Sequence, residues 1–331
     1  MPGGSAVRPI LPADCPILSI LAGSGYAAGM DLLAELRALI LRHAHGSERW
    51  DKTQVLEGVA VASVAEPTDP VAVMSEPSLA VVAQGVKRTV LNGVPYDYRA
   101  GQYLVVSVDL PVLGQALQAS PDQPFAVFTM TLRPAAIAPL LLETAGAARP
   151  PAFTGLAVSD ASPDLLDPVV RLMRLLDRPD DLRVLGPGLE REILWRLVTG
   201  DQGALVRQIG LANGNLAQVA RVIRWIREHY RENLLVADLA DLAGMSASSF
   251  HRHFRAATSM TPVQFCQQIR LQEARTLLAT QPVSAAEAGY LVGYESPSQF
   301  SREYRRTFGL TPGRDAARLR SLGEAGRVPA A

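Results

Sequence analysis

Within a repeated stretch the pattern Arg-x-x-Arg recurs fifty residues on, as Arg252/Arg255 and Arg302/Arg305, and Arg306 stands beside the second copy. A guanidinium is permanently charged and planar, and its fork of donors matches phosphate oxygens and the O6/N7 edge of guanine. The chemistry these residues support is recognition of a polyanion. Their spacing puts them on one helix face. Taking 100° per residue from Phe250, Arg252 falls at about 200°, Ser248 at about 160° and Arg255 at about 140°. Arg302, Ser298 and Arg305 take the same angles from Phe300, with Gln299 at about 260° and Arg306 at about 240°. The opposite face is apolar, since Phe250 and Phe254, and again Phe300, Tyr304 and Phe308, recur every fourth residue.

These faces belong to a repeated unit. Residues 246–262 reappear at 296–312, pairing Ser246 with Ser296, Phe250 with Phe300, Phe254 with Tyr304, Met260 with Leu310 and Pro262 with Pro312. Upstream the offset becomes 49, pairing Leu239 with Ala288, Leu242 with Leu291 and Gly244 with Gly293. Each copy reads as a short helix, a glycine turn that favours positive φ, and a second helix N-capped by serine. That is the anatomy of a helix-turn-helix. Two of them in one chain can set their second helices in successive major-groove turns, about 34 Å apart, and so read an asymmetric site.

The formal net charge is zero, which by itself argues against a nucleic-acid partner. Residues 1–214, however, hold 17 Lys+Arg and 22 Asp+Glu, whereas residues 215–331 hold 15 Arg, no Lys and 10 Asp+Glu. The halves are therefore −5 and +5, an asymmetry that gives the polyanion to the second half and a different task to the first.

At 331 residues the chain predicts about two domains. Residues 30–45 carry a helical apolar stripe. Segments 59–64, 79–84, 87–91, 102–108 and 126–132 are short and β-rich, separated by turn signals such as Asn92-Gly93 and Ala100-Gly101, a pattern that reads as an antiparallel sandwich or barrel. Amphipathic helices are expected at 164–176 and 189–199, joined by a Pro-containing turn at 178–188. Their stripes, Leu165, Val169, Leu172, Met173 and Leu176, then Ile193, Leu194, Leu197 and Val198, suit either a second chain or the β-rich part of the same one. Beyond residue 215 the pattern is all helix. The two cysteines, Cys15 and Cys266, cannot form a disulfide framework and fit a reducing cytoplasm. No apolar run reaches the roughly 18–20 residues that span a bilayer, and no export signal is read.

Residues 234–316, in particular TPVQFCQQIRLQEARTLL and GYESPSQFSREYRRTFGLTP, resemble the DNA-binding region of AraC/XylS-type transcriptional regulators. The resemblance implies a seven-helix domain in which a long helix at 262–279 joins two helix-turn-helices. It carries base or backbone contact onto Ser248, His251, Arg252, Ser298, Gln299 and Arg302. From the residues themselves, Arg252 and Arg302 suit guanine edges, while Arg255, Arg305 and Arg306 suit phosphates. Asp315-Ala316 departs from the family's usual Tyr-Arg and puts any contact made there in doubt. VKRTVLNGVPYDYRAGQYLVVSVDLPV and EREILWRLVTG resemble the cupin-like arm of one subfamily, which implies an effector-sensing barrel followed by dimerising helices.

The fold expected is α+β multidomain: an N-terminal β-rich cupin-like barrel with flanking helices, and a C-terminal all-α domain with two helix-turn-helix units. Residues 1–200 form the sensing and dimerisation region, 201–215 a linker, 216–320 the DNA-binding domain and 321–331 a flexible tail. The partners expected are promoter double-stranded DNA, a small-molecule effector, a second copy of the chain and, for an activator, RNA polymerase, with no membrane.

The competing class is an enzyme, nucleotide-binding or of a metal-free cupin type, with the DNA-binding half as an accessory. Gly23-Ser24-Gly25-Tyr26-Ala27-Ala28-Gly29 has the look of a phosphate-cradling loop, but no parallel strand follows closely enough for a dinucleotide fold. No histidine lies between Gly46 and Asn213, which removes a histidine-ligated metal from the barrel. The pairs His43/His45 and His251/His253 are spaced so that each points to two helix faces. No catalytic residue, metal or cofactor is assigned. Tyr96, Tyr98, Arg99, Tyr103, Phe125 and Phe128 are the candidates for holding an effector, and Cys15 is a conceivable thiol sensor.

Overall fold

The computed structural model describes residues 16–44, 52–143, 155–212 and 214–325. The short β-rich segments fold as ten strands: β1 Thr53–Leu56, β2 Val59–Val64, β3 Val71–Ser75, β4 Ser78–Gln84, β5 Val86–Leu91, β6 Val94–Arg99, β7 Gln102–Val106, β8 Leu110–Gln118, β9 Phe125–Thr131 and β10 Leu156–Asp160. They form two antiparallel sheets, β1-β2-β9-β4-β7-β10 and β3-β8-β5-β6. The expected cupin-like barrel is thus an open two-sheet arrangement, because among the described residues no strand of one sheet pairs with a strand of the other. Period-two alternation is clean in β5, whose Lys87, Thr89 and Leu91 face inward. In contrast β9 is buried on both faces, since helix α1 (Pro16–His43) lies over β2, β4 and β9 with Leu36, Leu39 and Ile40.

Residues 23–29, read as a glycine-rich loop, lie inside α1. Helical backbone commits its interior N–H groups to its own carbonyls, so this segment is no phosphate cradle. Cys15 and His45 lie outside the described residues.

Helices α2 (Pro134–Glu143), α3 (Pro163–Arg174), α4 (Pro179–Thr199) and α5 (Gly203–Gly210) complete the first half. The expected turn at 178–188 is the start of α4. Pro179 occupies its first turn with Asp180 and Asp181, the positions where a missing N–H costs nothing and acidic groups meet the helix dipole. Pro187 is inside the helix on an exposed stretch, where the carbonyl it fails to engage is left to solvent. The stripes on α3 and α4 are spent within the chain: Val169, Met173, Ile193 and Val198 have no exposed surface. They pack α3 against α1 and α4, and do not form a face for a second copy. Within the expected linker 201–215, α5 buries Leu205, Val206 and Ile209 against α2 and α4.

Seven helices follow: α6 Asn215–His229, α7 Val236–Ala243, α8 Ala247–Thr258, α9 Pro262–Thr280, α10 Ala285–Leu291, α11 Pro297–Phe308 and α12 Pro312–Ala325, the last reaching into the expected tail. The core is divided unevenly. One cluster runs from the sandwich through Val219, Phe250, Phe254, Phe265 and Ile269 of the first helix-turn-helix. A second, made of Leu271, Leu278, Val292, Phe300, Tyr304 and their neighbours, belongs to the second unit alone. No helix among the described residues is long and apolar enough to cross a membrane.

Candidate nucleic-acid interface

Both second helices are built as the repeat requires. Gly244 and Gly293 sit at φ 66° and 92°, reversing the chain after α7 and α10. Ser246 accepts from the Ser249 amide and Ser296 from the Gln299 amide, each at 3.4 Å, starting α8 and α11. The joining helix α9 opens on a capping box between Thr261 and Gln264. Phe250 and Phe254 are fully buried with centroids 5.4 Å apart, and Phe254 meets Phe265 edge-on at 5.5 Å. The second unit repeats the stack with Phe300, Tyr304 and Phe308 at 5.5 and 4.6 Å.

With the aromatic faces buried, the polar faces look outward. Ser248, His251, Arg252 and Arg255 on α8, and Ser298, Arg302, Arg305 and Arg306 on α11, are exposed. Gln299 is half-buried, and its Nε2 donates to Glu303 Oε1 at 3.1 Å, which draws it back along the helix. Glu303 in turn accepts from the Tyr294 hydroxyl at 2.8 Å, and burial together with that carboxylate pushes the phenol well above its usual range. Among the described residues none of the five arginines joins an ion pair, whereas Arg42, Arg88, Arg133, Arg171 and Arg174 of the first half are all paired with carboxylates. His253 is held below the usual imidazole range by burial and by neighbouring Arg252.

The departure at Asp315-Ala316 is a packing device. Asp315 is 1% exposed, and its Oδ2 accepts from Arg275 Nε at 2.9 Å and from the Tyr304 hydroxyl at 2.8 Å. Arg270 on α9 donates to the carbonyls of Tyr230, Glu232 and Gly293, tying the end of α6 to the turn of the second unit. Cys266 is buried against the Tyr230 carbonyl, and burial pushes its thiol up.

The effector candidates are spread over both sheets, with Tyr103 and Phe128 on one face through their shared partner Val81. Tyr98 is buried on β6 and Tyr96 half-buried, but Arg99 is exposed at the strand end. Tyr103 on β7 is buried beside Ser159 of β10, and Phe125 and Phe128 sit three apart on β9, on opposite faces. What accompanies Tyr98 in the interior is Lys87, directly opposite it in the β5–β6 register, with Nζ 6.0 Å from the ring centroid. Burial and the nearby Lys52 charge push the Lys87 ammonium down to about 7. Thr89 Oγ1 lies 3.4 Å from the Tyr98 hydroxyl. The period-two pattern of β5, with Lys87 in phase with Thr89 and Leu91, was the signal for this inward lysine. A separate cleft of about 900 Å³ lies between α1, α3 and α4, lined by Glu35, Arg42, Arg174, Leu185 and Glu192 among others.

A family model described as the N-terminus of AraC-type transcriptional regulators matches residues 55–205, and a helix-turn-helix domain model matches residues 239–318. The chain belongs to the AraC-type transcriptional regulators. The two matches together cover more than two thirds of this AraC-type chain and fall on the sandwich with its helices and on the duplicated units. The transcriptional activator RhaS of Salmonella schwarzengrund is 29% identical over 160 residues, 46% of this chain and 56% of RhaS. RhaS of Salmonella typhimurium matches with the same identity and coverage. The match thus spans about half the length of these curated relatives. Among solved structures, ToxT of Vibrio cholerae O395 aligns over 80% of this chain and 99% of its own, at 12% identity and TM-score 0.47. The DNA-binding domain of AdpA, solved with a target DNA, aligns over 32% of this chain and 95% of its own, at 33% identity and TM-score 0.31.

Proposed function

We propose that this chain is a transcriptional regulator that binds promoter DNA sequence-specifically through α8 and α11, under control of a small molecule taken up by the N-terminal sandwich. The observation that carries the reading is the pair of equivalent exposed faces whose arginines are left without carboxylate partners among the described residues, in a chain that pairs arginines elsewhere. Arg252 and Arg302 read base edges, with Ser248, His251, Ser298 and Gln299 beside them, and Arg255, Arg305 and Arg306 neutralise phosphates. The activators among its relatives favour activation, with RNA polymerase as the further partner, and the cytoplasm as the place of action. A second copy of the chain would have to use a surface other than the α3 and α4 stripes.

The effector site is best sought around Lys87, Thr89, Tyr96 and Tyr98, where cationic, hydroxyl and aromatic groups share the sandwich interior. The nucleotide-binding enzyme reading loses its support with the helical course of residues 23–29.

The test is selection of duplexes from a random pool by the full chain, followed by fluorescence anisotropy in a salt series. One enriched sequence family, bound with an affinity that falls steeply with salt, is expected. Enrichment of no sequence would overturn the reading.

A further inference from the structure

Asn92 and Ser259 are the two non-glycine residues with positive φ among the described residues, at 49° and 60°. They meet across 167 positions: Asn92 Nδ2 donates to the Ser259 carbonyl at 2.8 Å. Asn92 is the tip of the β5–β6 hairpin, whose two-residue Asn92-Gly93 turn has both φ angles positive, as this tight connection demands. Ser259 is the C-cap of α8, the first recognition helix. The same helix end is held from a second side, because Gly155 packs on the Ala257 carbonyl so closely that a Cβ there would come within 1.8 Å of the oxygen.

The sheet that carries this hairpin also reaches the second unit. Ahead of β3, Asp69 pairs with Arg318 of α12 and the Pro70 carbonyl accepts from Arg275 Nη1 at 3.2 Å. On β8 the Val112 carbonyl accepts from Gln272 Nε2 of α9 at 3.4 Å, and Asp109 just before it pairs with Arg227 of α6. One sheet, β3-β8-β5-β6, therefore touches the end of α8 at one point and α9 and α12 at others. None of these contacts covers the recognition faces, whose arginines stay exposed while the sheet is docked. Docking cannot act by occlusion. What it can do is fix where α8 stands relative to α11.

We infer that this sheet is a brace that sets the spacing between the two recognition helices, with Asn92 and Asp69 as positioning residues for the separation of the two half-sites on DNA. The proposal rests on the DNA-binding reading above. It gives the sandwich a route to the DNA, because β5 and β6 carry Lys87, Thr89 and Tyr98 on the same short ribbon, Lys87 and Tyr98 about 17 Å and Thr89 about 10 Å from the tip at 3.3–3.4 Å per residue.

The test uses the full chain and the duplex it selects from a random pool, with one base pair inserted or deleted between the half-sites. Each such step moves one half-site by about 3.4 Å and about 35° around the helix axis. The variant is Asn92→Gly with Asp69→Asn: glycine accepts the left-handed turn, and Asp69 is exposed, so the fold is preserved. Wild type should prefer the selected spacing over the altered ones, and the variant should lose at least about threefold of that preference. Hydrogen exchange should also quicken at residues 256–260. A spacing preference unchanged in the variant overturns the brace. If wild type enriches no duplex, the DNA-binding reading itself falls, and the brace with it.

Discussion

Asp315 Oδ2 accepts a hydrogen bond from Arg275 Nε at 2.9 Å beneath the surface of the second helix-turn-helix, and Tyr304 donates to the same oxygen. Burial and this carboxylate push the Tyr304 phenol above its usual range. Arg275 also lies over the Phe308 ring at 4.8 Å, so one carboxylate sets the seat of α12 on both α9 and α11. Asp315→Ala takes the carboxylate from a guanidinium that is 14% exposed and the acceptor from a buried hydroxyl. The expected cost is about 3–5 kcal/mol, as for removal of one partner of a buried pair. Denaturant unfolding combined with hydrogen exchange on α11 and α12 checks it, and a loss below about 1 kcal/mol would refute the role.

Arg302→Ala should weaken binding to the selected duplex by about 1–3 kcal/mol and relax the preference at one base pair. Arg305→Ala should weaken all sequences alike and reduce the salt slope by about one unit. Anisotropy at fixed salt on single-base variants separates the two. Equal loss on every sequence for Arg302→Ala would move it to the phosphate-binding group.

Lys87 gives the sandwich a pH dependence of definite sign. Its folded value is about 7 against an ordinary lysine value of 10.5, so between these limits the unfolded chain holds a proton that the folded chain does not. Stability from this group therefore rises with pH from about 7 toward 10.5, by at most about 1.4 kcal/mol per pH unit. Lys87→Met should remove the slope and be more stabilising at pH 7 than at pH 9. Thermal unfolding at the two values decides, and parallel profiles for wild type and variant would show that the ammonium is not held in a dry site.

Phe254→Ala and Phe300→Ala both delete a fully buried ring, each at an expected cost of about 3–5 kcal/mol. Their reach should differ. Phe254 belongs to the core shared with the sandwich and Phe300 to the core of the second unit. Exchange should quicken in β2 and β9 for the first variant and stay unchanged there for the second.

The features legible in the bare sequence are those governed by local rules. Strand β2 falls on the apolar segment 59–64 as read, and the glycine turns, serine caps and arginine faces of the repeat are where periodicity put them. The misreadings came where packing overrides local preference. Gly23–Gly29 is helical within α1, and Pro187 is carried inside α4. Strands β1, β3, β6, β8 and β10 were too short or too interrupted by Pro and Gly to stand out, so the pattern left sandwich and barrel both open, and the barrel was what the family resemblance implied. The arginine faces were legible because a helix repeats its own geometry. The meeting of Asn92 with Ser259, and of Asp69 with Arg318, depends on tertiary docking that no window of sequence contains.

Ile269 and Leu271 lie two residues apart on α9, yet the first belongs to the core that begins in the sandwich and the second to the core of the last unit. The seam at which this protein can be cut and rejoined to a relative is therefore in the middle of a helix, and not at the charge reversal near Gly214. A chimera that exchanges only the residues beyond that seam would acquire a new half-site preference while keeping its host's sensor and the first half of its address on DNA.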